Sequence, residues 1–280
     1  MTMKTILLPT DFSPHAHNAF IYALNLAEHF GASLLLFHSY HYTNTGSLFI
    51  PPELIDRLNL DEKENAQAEL EKYTQKAQVE LGKNVAVSHV LTQGFAVDEI
   101  LDIAAKRNID LIVMGTQGAA STQGRVFGSV TASVIEKAPC PVLAIPESYT
   151  WQGIRHIAYA TNFEENDLRM PEELPGIAHL FEAHISCVHI NQEPPDGWAR
   201  LQQFFREELF RLEINPDQME LFILDNPDVL EGLNTFIQNN KVDMLAMLTH
   251  KRGFLERILQ KSMTRKMSHA SHVPLLAFHK

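Results

Sequence analysis

The chain has 280 residues, of which 45% are hydrophobic and 20% charged, with two cysteines and a net charge of −11 at pH 7. At roughly 100–200 residues per domain this is enough for two globular domains. It excludes a disordered, collagen-like or disulfide-stapled chain.

Acidic residues predominate in both parts. Residues 1–150 carry 10 basic and 16 acidic side chains, and residues 151–280 carry 13 and 18. Both parts repel phosphate backbones at long range, so no nucleic-acid partner is expected. No apolar run approaches the ~20 residues of a membrane span. Met1–Pro9 lacks the apolar stretch and small-residue cleavage site of a secretory signal. A cytoplasmic protein without a membrane partner is expected. Cys140 and Cys187 stand alone in the sequence and are expected to be buried, reduced thiols.

In chain order, Thr5–Leu8 reads as a short apolar strand. His15–Phe30 has helical spacing and is closed by Gly31. Ser33–His38 is a strand apolar enough to be covered on both faces. Tyr40–Leu60 reads as a long connection containing Gly46, Pro51 and Pro52. Asp61–Gly82 is a charged amphipathic helix, Val85–Val90 a strand and Ala96–Arg107 a helix. Asp110–Met114 is a strand, Ser129–Lys137 a helix and Pro141–Ile145 the last strand. Strand–helix alternation predicts a parallel sheet with helices on both faces. Such a sheet leaves a crevice at the carboxyl ends of its strands where the strand order reverses.

The pattern is then repeated. A shift of 151 carries Thr10–Asp11–Phe12 onto Thr161–Asn162–Phe163 and His38 onto His189. A shift of 133 carries Asp110 onto Asp243, Met114 onto Met247, Thr116 onto Thr249, Ser129 onto Ser262, Thr131 onto Thr264 and Pro141 onto Pro274. The second copy therefore lacks about 18 residues between its second and third strands, since 151 − 133 = 18. The expected organisation is two tandem Rossmann-like domains, 1–147 and 152–280, each a five-stranded parallel sheet.

One run carries chemistry. After Met114 comes Gly115, Thr116, Gln117, Gly118, nine residues, then Gly128–Ser129 opening a helix with Val130 and Thr131. Gly115 and Gly118 let backbone approach a ligand with no Cβ in the way. A helix start offers unpaired N–H groups and a favourable dipole to an anion. Ser129 either caps that helix or donates to a phosphate oxygen. Asp11, after Pro9–Thr10 at the end of the first strand, can accept from ribose hydroxyls. The end of the second strand, near Ser39, can offer backbone to a base edge. There is no G-K-[ST], so no lysine is placed against a terminal phosphate. Arg125 is the one cation in the insert 119–127 and reads as an exposed loop residue.

In the second copy Asn162 replaces Asp11, Leu248 replaces Gly115, Lys251 replaces Gly118 and Lys261 replaces Gly128. Only Ser129 persists, as Ser262. That copy is not expected to bind the same ligand. Its run Lys251–Lys266 has a net charge of +5 and reads as a solvated face or a docking patch for an acidic partner. The paired histidines, including His269 and His272, lack a complete ligand spacing, so no metal site is expected.

Pro9–Thr10–Asp11–Phe12–Ser13, His38, the Gly115–Ser129 run and Ala138–Pro139–Cys140–Pro141–Val142–Leu143 together resemble a tandem universal stress protein. The resemblance covers all of copy one and, more weakly, copy two. It implies an adenine-nucleotide-binding α/β domain, with ATP or another adenylate as ligand and magnesium as a candidate companion. It places Pro9, Thr10 and Asp11 near ribose and base, Ser39 at the adenine, and Met114, Gly115, Gln117, Gly118, Gly128, Ser129, Val130 and Thr131 around the phosphates. Family members commonly pair through their last strands, so the tandem chain resembles such a dimer fused into one polypeptide. Further self-association into a homodimer stays open. Binding without rapid catalysis is the expected activity. A slow ATPase or nucleotidyl-transfer enzyme and a ligand-free scaffold remain as alternatives.

Overall fold

Strand β1 (Thr5–Pro9) is apolar and buried at four of its five residues, as a strand covered on both faces should be. Ser13 ends the turn that follows: its Oγ accepts from the Ala16 N–H, and Pro14 occupies the first turn of α1 (Pro14–Phe30). Gly31 closes that helix in the left-handed conformation, φ 61°, which glycine adopts without steric cost. The computed structural model describes residues 3–41, 52–82, 85–117, 127–161, 171–192, 198–213, 218–249 and 273–279.

Copy one continues through β2 (Ser33–Tyr40), α2 (Pro52–Leu81), β3 (Val87–Gln93), α3 (Ala96–Lys106), β4 (Leu111–Gly115), α4 (Ser129–Lys137) and β5 (Val142–Ile145). Copy two contributes β6 (His156–Ala160), α5 (Glu173–Leu180), β7 (His184–Asn191), α6 (Trp198–Arg211), β8 (Met219–Asp225), α7 (Val229–Asn239), β9 (Met244–Thr249) and β10 (Leu275–His279). All ten strands form one sheet in the order β3-β2-β1-β4-β5-β10-β9-β6-β7-β8. Within each copy every pair is parallel, and the order reverses between β1 and β4, and between β6 and β9.

The two halves meet through their last strands, and β5 and β10 pair antiparallel. Leu143 pairs with Leu276, and the two are repeat equivalents, 133 residues apart. A pseudo-two-fold axis therefore passes through this pair, as in the isologous interface of a symmetric dimer. The helices over the junction obey the same symmetry. Phe30 at the end of α1 packs edge-on against Phe181, its equivalent at a shift of 151, with ring centroids 4.9 Å apart. His29 stacks on Phe181 at 5.3 Å and its Nε2 donates to the Leu180 carbonyl at 2.8 Å. Asn18 on α1 holds the connecting segment by donating to the carbonyls of Pro146 and Tyr149 at 2.7 and 2.5 Å.

Repeat equivalents also share their hydrogen bonds. Asp110 Oδ2 accepts from the N–H groups of Lys4 and Thr5, and Asp243 Oδ2 accepts from those of Arg155 and His156. His38 Nδ1 donates to the Thr10 carbonyl at 2.7 Å, and His189 Nδ1 to the Thr161 carbonyl at 3.0 Å.

Two elements depart most from the sequence reading. Helix α2 begins at Pro52, inside the expected connection Tyr40–Leu60. Proline fits a first turn, where its missing N–H is not needed. Leu54, Leu58 and Leu60 are about half exposed, so they give no clear apolar stripe. Strand β3 lies two to three residues later than Val85–Val90. It is a sheet edge, where one side of the strand faces no partner. Helices α2 and α6 have 30 and 14 residues, and this difference accounts for most of the 18 residues missing from copy two.

Candidate functional site

The carboxyl ends of β1, β2 and β4 converge at the strand-order reversal of copy one. There they bound a cavity of about 170 Å³. Pro9, Thr10 and Asp11 come from the end of β1 and the turn after it. Ser39 comes from β2, and Met114, Gly115 and Gln117 from β4 and its continuation. Gly128, Ser129, Val130 and Thr131 form the start of α4. Of the twelve site residues expected from the sequence, eleven line this cavity. The twelfth, Gly118, lies outside the described residues, as does Arg125. The volume is below the ~300–1,000 Å³ usual for small-molecule sites.

Each wall has a local cause. Gly115 ends β4 in strand conformation, paired with Ile145, so its use is space and not a turn. Gly128, not Ser129, is the N-cap of α4, in extended conformation and with no side-chain cap bond. Ser129 is therefore the first helical residue and is exposed, which removes the cap from the two roles the sequence left open for it. The first turn keeps N–H groups that no capping side chain fills, the arrangement that attracts an anion. The turn is anchored from behind: Thr131 Oγ1 donates to the Gly115 carbonyl at 2.8 Å, and the Gly128 N–H to the Thr116 carbonyl at 2.7 Å.

On the opposite wall, Asp11 is held in its turn by the Ser13 N–H, which donates to Asp11 Oδ1 at 3.1 Å. Phe12 follows with φ 60°, a left-handed backbone that costs a bulky residue roughly 1–2 kcal/mol. Its ring packs against His38 at 4.5 Å and Tyr73 at 5.5 Å, which offsets that cost. Burial raises the Tyr73 phenol above its ordinary pKa, and the charges of Glu69 and Asp11 add to the rise while Lys72 opposes it. The phenol is therefore neutral beside the site.

Three lining residues escape the sequence reading: Ala16 of α1, Phe37 of β2 and Ile100 of α3. Each is deeply buried and looks like core in a sequence. The signal that could have found them is placement, since each sits within about a turn of the carboxyl end of the sheet. They give the cavity an apolar floor beneath its polar rim.

In copy two, larger side chains stand at two of the matching positions among the described residues. Ile190 stands where copy one has Ser39 and is buried. It packs so closely on α7 that a Cβ on Gly232 would lie 2.9 Å from both Ile190 Cδ1 and Cγ2. Leu248, in the place of Gly115, packs against the core. Asn162, Lys251, Lys261, Ser262 and the run Lys251–Lys266 lie outside the described residues, as do His269 and His272. Among the described residues no three His, Cys, Asp or Glu side chains are grouped to hold a metal. Cys140 and Cys187 are buried free thiols. Burial, with a smaller contribution from Asp110, pushes Cys140 up to about 12, and burial with Glu208 raises Cys187 as well. Both are protonated and unreactive at neutral pH.

Residues 2–146 match the universal stress protein family. A universal stress protein of Thermus aquaticus is 36% identical over 144 residues, covering 51% of this chain and 98% of its own length. The chain belongs to the universal stress protein family. A universal stress protein of Synechocystis aligns with 99% of this chain and 100% of itself at 24% identity, so the doubled layout occurs in another member. A universal stress protein of Archaeoglobus fulgidus of known structure covers 100% of this chain, and 99% of that protein is covered in turn, at a TM-score of 0.74 and 17% identity. That likeness is one of fold over the whole tandem chain. No described helix is long and apolar enough to cross a membrane.

Proposed function

We propose that this universal stress protein binds one adenine nucleotide, in copy one, and acts by that binding and not by rapid catalysis. One observation carries the reading. A single cavity at the strand-order reversal joins the Asp11 carboxylate, the apolar Phe37 and Ile100 and an uncapped helix start, and copy two has Ile190 and Leu248 at the positions of Ser39 and Gly115. The base enters over Phe37 and Ile100 beside Ser39. The ribose hydroxyls donate to Asp11. The phosphates extend to Gly128–Val130, where the first-turn N–H groups of α4 receive them.

Asp11 is the one carboxylate lining the described cavity. Magnesium would therefore ride on phosphate oxygens and water, its usual mode, and not in a protein cage. Phosphoryl transfer needs a placed metal and a positioned nucleophile. Among the described lining residues Asp11 is the one carboxylate that could ligate a metal or act as a base, so turnover well below ~1 per second is expected. The protein then works as a stress or signalling element in the cytoplasm, read by a partner through its nucleotide-bound state.

Calorimetric titration with ATP tests the reading. One site per chain is expected, lost in Gly115→Leu and strongly weakened in Asp11→Ala. Two sites per chain, or binding indifferent to both substitutions, would overturn it. Phosphate release with magnesium at several per second would overturn the non-catalytic half alone.

A further inference from the structure

We infer that copy two holds the phosphate-side helix of copy one in place, with His279 as the positioning residue. The inference rests on the nucleotide reading of the cavity and explains why a copy without a site stays attached to one that has it.

Helix α4 has nine residues, too few to persist without tertiary support. Its amino end is tied to β4 by Thr131, as described. At its carboxyl end the last carbonyls have no intrahelical donor. The Ala138 N–H reaches the Val134 carbonyl, and the next carbonyl, Ile135, is reached from outside copy one. His279, the last residue of β10, donates from Nε2 to the Ile135 carbonyl. The ring is half-buried. Burial lowers its pKa, against the pull of the Ile135 and Cys140 carbonyls, so it stands as a neutral donor at pH 7.

The bridge has a definite geometry behind it. Strand β10 is registered on β5 by the pairs Leu275–Ala144, Leu276–Leu143 and Ala277–Val142. It is also bonded along its whole length to β9. His279 therefore projects from a rigid strand, and the helix it holds is buried on the sheet side through Val134 and Ile135. The bridge also runs one way. The position matching His279 in copy one is Pro146, whose side chain has no donor.

The consequence is selective. The base-side walls Ser39 and Phe37 come from β2, and Ile100 comes from α3, which packs on α4. Releasing the carboxyl end of α4 acts directly on the N–H groups that receive phosphate, and on the base-side walls only through the packing of α3 on α4. The hydrogen bonds there are directional, so small displacements matter.

The test uses the full chain with His279→Ala and His279→Gln, titrated with ATP and with adenosine, plus hydrogen exchange of the α4 amides without ligand. In His279→Ala, ATP should bind about three- to tenfold more weakly, the effect of one lost hydrogen bond. Adenosine affinity should be unchanged, exchange in 129–137 should accelerate, and His279→Gln should recover most of each effect. If His279→Ala does not fold, His279→Leu keeps the volume without the donor and takes its place. ATP affinity within twofold of the unaltered chain overturns the inference, and so does an equal loss for ATP and adenosine. If the unaltered chain binds no ATP, the nucleotide reading fails. The exchange data then decide the bridge alone, and unchanged protection of α4 overturns it.

Discussion

Copy one and copy two share a strand order, a pair of aspartate clamps and a pair of histidine–carbonyl bonds, yet where copy one lines a cavity with Ser39 and Gly115, copy two has Ile190 and Leu248. The shared features separate architecture from site. His38 adjoins the cavity, but His189 makes the same bond to Thr161 in the filled copy. The bond therefore ties the ends of the first two strands in each half and is not a ligand contact. What distinguishes copy one is the smallness of Ser39 and Gly115. Their replacements are the buried Ile190 and the partly buried Leu248, and full burial of such a side chain is worth roughly 1.5–3 kcal/mol. A site is thus a place where copy one forgoes core packing, and copy two recovers it.

The sharpest test of the comparison is its symmetry. Leu143 and Leu276 face each other on the pseudo-two-fold axis, and both are almost fully buried. Leu143→Asp and Leu276→Asp each bury an unpaired charge and should cost at least ~4 kcal/mol. By symmetry the two costs should agree within about 1 kcal/mol. Urea unfolding followed by circular dichroism measures both. A large inequality would show that the junction is not isologous in energy, whatever its geometry.

Next in size is an exchange across the comparison. Ile190→Ser removes a buried side chain and leaves a hydroxyl in an apolar place, so a loss of about 3–4 kcal/mol is expected. The reverse change, Ser39→Ile, extends into an existing cavity and should alter stability by less than ~1 kcal/mol. It should instead reduce ATP affinity about 100-fold or more by occupying the base slot. Thermal unfolding and calorimetry read the two effects separately. If Ser39→Ile destabilised as much as Ile190→Ser, copy one would be as tightly packed as copy two and the contrast would fail.

The sequence disclosed the sheet, the repeat and most of the cavity because each leaves a local mark. Buried parallel strands are apolar runs, Gly31 marks a helix end, and backbone approach to a ligand calls for Gly115 and Gly128. Other features leave no such mark. The start of α2 at Pro52 is hidden because its first turns expose leucines, so tertiary placement and not periodicity decides it. Ala16, Phe37 and Ile100 resemble any core residues until the topology brings them to one end of the sheet. Ser129 looks like a cap by residue type, but the backbone turns into the helix one residue earlier. His279 is invisible as a functional residue because its partner, Ile135, is 144 residues away and offers only a carbonyl.

That last bond yields the smallest expected effect. Burial lowers the His279 pKa in the folded chain below its unfolded value of about 6.5. Above that value both states are neutral at this site, and stability is unaffected by it. As pH falls through about 6.5 toward the lower folded pKa, the unfolded chain takes up a proton that the native chain resists, so stability declines with acidification. The chain has 14 histidines, so the informative quantity is a difference between two proteins. Between pH 7.5 and 5.5 the unaltered chain should lose more stability than His279→Gln, which has no imidazole to protonate. Parallel losses in the two would mean that acid does not act on this bond, and the asymmetry between His279 and Pro146 would then matter for position alone.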